Sequence, residues 1–64
     1  MPGLPVTIET DQGGYVLKTL EDVRAAARKT TKLSPGYIQS ATIRELVSAI
    51  STAVGAWNVY YDRD

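Results

Sequence analysis

Apolar and polar positions alternate over Val6-Thr7-Ile8-Glu9-Thr10, mostly on β-branched residues, which is the period-two pattern of a half-buried strand. Asp11-Gln12-Gly13-Gly14 follows, and its two glycines take positive φ cheaply. The pattern therefore predicts a hairpin turn into a second strand, Tyr15-Val16-Leu17-Lys18. The period then changes. Thr19 suits the N-cap of a helix with Glu21 and Asp22 in its first turn and Arg28, Lys29 and Lys32 in its last, the charge order that complements a helix dipole. Leu20, Val23, Ala26 and Ala27 make its apolar stripe, which is narrow and alanine-rich; it permits close packing but buries little area of its own.

Leu33-Ser34-Pro35-Gly36 ends that helix, because proline disfavours helical backbone at Ser34 and glycine permits a sharp turn. Residues 37–41 read two ways: Ser34 and Pro35 can open a short helix, or Tyr37-Ile38 can be extended. Beyond them, Thr42-Ile43-Arg44-Glu45 is a capping box ahead of Ile43, Leu46, Val47, Ile50, Ala53, Val54 and Trp57, which recur at helical spacing. A second helix is expected over about 43–56, with Gly55 and Asn58 as terminators. Trp57 to Tyr61 has strand composition, yet Val54, Trp57 and Tyr61 also fit a helix continued through Tyr61. The strand reading returns the chain to the hairpin. It yields a small single α+β domain of order ββααβ over residues 6–61, after an irregular arm at 1–5 (Pro2, Gly3 and Pro5) and before a solvated end at 62–64.

Composition narrows the chemistry. In 64 residues there is no Cys and no His, which removes disulfides, thiolate nucleophiles, sulfur ligands and the commonest general base and metal ligand. A chain of this size buries only about 60% of the surface its unfolded form exposes, so packing or self-association has to supply stability that staples provide elsewhere. The acidic pairs Glu9/Asp11, Glu21/Asp22 and Asp62/Asp64 have ordinary structural explanations, and Gly13-Gly14 lacks the surroundings of a phosphate loop. No catalytic, cofactor or metal residue is assigned, no small-molecule substrate is expected, and the chain reads as a non-enzyme. The opening residues lack the basic and apolar regions of a signal peptide, and no run approaches a spanning helix; a cytoplasmic setting without membrane contact is expected.

Seven basic and seven acidic residues cancel, but the cations are uneven: residues 18–32 carry +3, against −2 before them and −1 after. Arg24, Arg28 and Lys32 follow at spacings of four with Lys29 beside them, a stripe that can grip phosphate or simply balance a helix end. Between Leu46 and Tyr61, by contrast, 16 consecutive residues carry no charge. The outer side of the second helix there offers Ser48, Ser51, Thr52 and Gly55, small side chains that let another backbone approach. The same strip also suits solvent, or cover by the alanines of the first helix. Trp57, Tyr60 and Tyr61 then hold three of the five aromatics; such residues dominate interface hot spots. As the sole Trp of a Phe-free chain, Trp57 is expected to plug the core, and the two adjacent tyrosines must face opposite sides of a strand.

The function expected from these features is a small protein-protein interaction module of adaptor, assembly or inhibitor type, self-associating through the second helix. Ser48, Ser51, Thr52, Gly55, Trp57, Tyr60 and Tyr61 are its contact residues. Small accessory or structural proteins encoded by viruses and mobile elements share this profile of size and composition. The alternative is a dimeric nucleic-acid-binding protein using Arg24, Arg28, Lys29 and Lys32.

Overall fold

A computed structural model describes residues 3–62 of the chain. The elements run β1 (Val6–Thr10), β2 (Gly13–Leu17), α1 (Leu20–Thr30), α2 (Pro35–Ser40), α3 (Ile43–Val54) and β3 (Asn58–Tyr61). The strands form one antiparallel sheet in the order β2-β1-β3, with Thr7 opposite Val16 on one side and opposite Tyr60 on the other. The α+β class and the third strand follow the sequence pattern; the segment that read two ways adds a short third helix.

Alternation in β1 has its expected consequence. Val6 and Ile8 are fully buried and Thr10 nearly so, whereas Thr7 and Glu9 face the other side. The Thr10 hydroxyl is satisfied locally, donating to the Gly13 carbonyl at 2.9 Å and accepting from the Gln12 N–H at 3.1 Å. The turn is tighter than expected. Asp11 and Gln12 alone connect the strands, Gly13 takes φ 112° at the head of β2, and Gly14 sits within the strand.

Thr19 caps α1, and the Asp22 carboxylate accepts from the Thr19 N–H in return. Val23 and Ala27 of this helix are fully buried. The helix stops earlier than its charge pattern suggested: Thr31 caps it, its hydroxyl on the Ala27 carbonyl at 2.6 Å, and Lys32 falls in the following loop. Ser34 accepts from the Tyr37 N–H and Pro35 occupies the first turn of α2, where its missing donor costs nothing. The capping box at Thr42 and Glu45 opens α3 as expected, and Leu46, Val47 and Ile50 drive into the core. Gly55 in the left-handed conformation (φ 68°) closes it, which rules out a helix continued to Tyr61.

The helices cover one face of the sheet, with Leu17, Ile38 and Leu4 completing the core. Leu4, in the irregular N-terminal segment, is docked in the core, and the Asp62 N–H to Pro5 carbonyl bond extends the β1-β3 ladder by a step. Met1, Pro2, Arg63 and Asp64 lie outside the described residues. Trp57 is the main departure. It is 66% exposed, because α3 ends before it and its N–H bonds to the Glu9 carbonyl at the entry to β3. The core is filled by aliphatic residues from all six elements except β3, with Val59 and Tyr61 packed at its margin.

Truncating Ile8 to Ala removes a side chain from the centre of this core. A loss of about 2–5 kcal/mol is expected, comparable to the whole net stability of so small a domain. Gly55→Ala, which places a Cβ in left-handed backbone, is expected to cost about 1 kcal/mol. Urea denaturation followed by circular dichroism checks both, with Ile8→Ala largely unfolded before denaturant is added.

Candidate functional site

Two separate surfaces hold some of the residues singled out for contact, and the others lie on neither. The first is a groove of about 680 Å³ where the end of α1 and the loop after it approach α3. Thr30 to Leu33 form one wall and Ser48, Ala49, Thr52 and Ala53 the other, with Glu45 at one end. Ser48 and Thr52 are exposed here, as the small-residue strip required. Ser51 and Gly55 do not line the groove. Ser51 donates its hydroxyl to the Ser48 carbonyl at 3.0 Å and accepts from the Ala56 N–H with its own carbonyl, while Gly55 serves as the C-cap. The strip is thus half groove wall and half helix ending.

The second surface is the sheet face opposite the helices. Because Leu17 points into the core, Val16 points out, and the ladder sets Val16, Thr7 and Tyr60 in one cross-strand row. Val16 and Tyr60 are each 50% exposed. Asn58 holds the Tyr60 ring in place, donating its side-chain amide to the Tyr60 hydroxyl at 2.7 Å and accepting from the Val59 N–H at 3.1 Å with its oxygen. Trp57 adjoins this strand, the most exposed of the large apolar residues. Tyr61 faces the other way, against the core, and the Arg44 guanidinium stacks 4.2 Å from its ring centroid. The two tyrosines divide between the faces as their adjacency demands.

The basic residues do not form one stripe. Arg24 is largely covered: Nη1 pairs with Glu21 Oε2 at 2.8 Å, Nη2 donates to the Gln39 carbonyl at 3.1 Å, and the buried Nε has no partner among the described residues. Its work is to tie α1 to the end of α2. Arg28 and Lys29 are exposed on α1, and Lys32 stands on the groove wall, off the helix. Alignment at spacings of four fails because α1 ends at Thr30.

Sequence reasoning missed Tyr15. Its ring packs at the margin of the core and, with Leu17, Ala25, Ala26, Lys29 and Val54, borders an apolar cleft of about 430 Å³ between β2 and α1. The Tyr15 hydroxyl is buried with no partner among the described residues, and this desolvation raises its pKa above the ordinary 10.0. The alternation Tyr15-Val16-Leu17 carried the signal, once Leu17 is known to be inside.

No protein-family description matches the chain, and comparisons with curated proteins and with solved structures find no match either. Among the described residues, no helix is long and apolar enough to cross a membrane.

Tyr15→Phe removes a buried hydroxyl that gains no bond in the fold, so stability is expected to be unchanged or to rise by up to about 1 kcal/mol. The raised phenol also makes the wild type lose stability as pH climbs through and beyond 10, since the folded state resists deprotonation that the unfolded chain allows. Thermal melts from pH 8 to 11 should fall less steeply for Tyr15→Phe.

Proposed function

We propose that this chain is a small non-catalytic protein-protein interaction module that captures a protein partner through the exposed aromatic side chains at and just before β3. The observation that carries the reading is the display of Trp57 and Tyr60, 66% and 50% exposed, in a domain with very little apolar material to spare. Large rigid side chains left partly in water beside a buried aliphatic core contribute little of their area to folding, and they are the residue types that anchor protein interfaces. The hydrogen bond from Asn58 fixes Tyr60 before a partner arrives, which lowers the entropy lost on docking.

The groove with Ser48 and Thr52 is a second contact surface in this reading, and self-association remains part of it. Nucleic-acid binding draws less support, because Arg24 is engaged within the fold and Lys32 leaves the line of Arg28. Two or three scattered cations fall short of the phosphate contacts such affinity rests on.

Proteins retained from the source cells by the wild type and by a Trp57→Ala/Tyr60→Ala variant provide the test, compared by quantitative mass spectrometry. Both positions are exposed, so the variant should keep its circular dichroism spectrum and melting temperature. At least one protein is expected to be retained about 30-fold less by the variant, the scale of losing one hot spot. Equal retention of every protein overturns the reading.

A further inference from the structure

The sheet has two outer strands, and their free edges differ. Pro5 and Glu9 of the β1 segment direct their carbonyls to the β3 side, accepting from the Asp62 and Trp57 N–H groups. By alternation Val6, Ile8 and Thr10 bond to β2, so in β2 the partners Leu17, Tyr15 and Gly13 face inward. Gly14 and Val16 therefore turn their N–H and C=O groups outward. On β3 the corresponding outward N–H of Val59 is already taken by the Asn58 side chain. The β2 edge carries no charge, no proline and no bulge within Gly13–Leu17, the devices by which proteins close an edge to pairing.

We infer that the β2 edge pairs antiparallel with the β2 edge of a second copy of this chain, joining two sheets into one of six strands about a twofold axis at Tyr15. The inference rests on the self-association in the function proposed above and names its surface. Available donors select the register. Gly14 of one copy opposite Val16 of the other, and the reverse, uses all four outward groups of each strand. A shift one way along the strand requires the Lys18 N–H, which is bound to Asp22 Oδ2 at 3.3 Å. A shift the other way requires the Gln12 N–H, which is bound to Thr10 Oγ1.

Side chains agree with that register. On the open face, Val16 of each copy stands over Gly14 of the other, which has no side chain to obstruct it. On the helix face, Tyr15 meets its symmetry mate beside the apolar cleft. Lys18 of each copy lies opposite Gln12 of the other and next to the neighbouring Asp11, so the exposed charges at the two ends of the pairing are complementary.

Sedimentation velocity of the full chain from micromolar to millimolar concentration tests this. A dimer is expected for the wild type, for Ser48→Glu and for Trp57→Ala. Gly14→Lys/Val16→Lys should be monomeric throughout, because it sets lysines opposite each other twice; its fold is expected to survive, as a Cβ on Gly14 meets only ordinary contacts at 3.5 Å and Val16 is half exposed. Lys18→Glu and Asp11→Lys should each weaken the dimer about tenfold, each pair occurring twice, and the two together should restore it. A wild type that stays monomeric, a dimer that survives the double lysine variant, or a charge swap that fails to restore association overturns the inference. Loss of the dimer in Ser48→Glu alone, with the lysine variant still dimeric, overturns it as well while leaving self-association through α3 standing. Retention of cellular proteins through Trp57 and Tyr60 is read separately, so either result can fail without the other.

Discussion

The structure depends on β1 being the middle strand. Four of its five residues pair on both sides, and Val6, Ile8 and Thr10 face the helices in a single row, so one short segment organises the sheet and the floor of the core together. Its two partners reach it by different routes: β2 follows directly through a two-residue turn, and β3 lies beyond all three helices in the chain. A loss at Ile8 is felt by every layer because its side chain is fully buried between the central strand and the helices.

That economy explains what stands outside. A sheet covered on one face needs a single set of inward residues, and here aliphatic side chains fill the space between the layers without an aromatic at its centre. Trp57 and Tyr60 are left exposed, so in the proposed function desolvating them against another molecule would return free energy that folding does not use. Tyr61 and Tyr15 are intermediate: each packs its ring at the core margin, one beneath Arg44 and the other beside an open cleft.

The two edges of the sheet are unequal for a local reason. Asn58 takes one outward N–H of β3 with its own side chain, while Gly14 offers β2 nothing with which to do the same. Capping logic elsewhere in the chain is complete, with Thr19, Ser34 and Thr42 each accepting from a first-turn N–H. The outward groups at Gly14 and Val16 are where the second strand of the proposed dimer would pair.

By itself the sequence determined what depends on neighbours in the chain: the alternation of β1, the capping box of α3 and the glycine that ends it. It also placed aromatic and small residues where contact was expected, and Tyr60, Ser48 and Thr52 are exposed. The tertiary structure decided the rest. Whether 35–40 is helical, whether Trp57 is inside or outside, which way Val16 points, and whether Arg24 is free or tied to Gln39 all turn on where a distant element comes to lie. Residues 37–41 and Trp57 sit at junctions, where local preference is nearly balanced and long-range packing settles the outcome, whereas caps and alternation are enforced within a few residues by the backbone's own hydrogen-bonding needs.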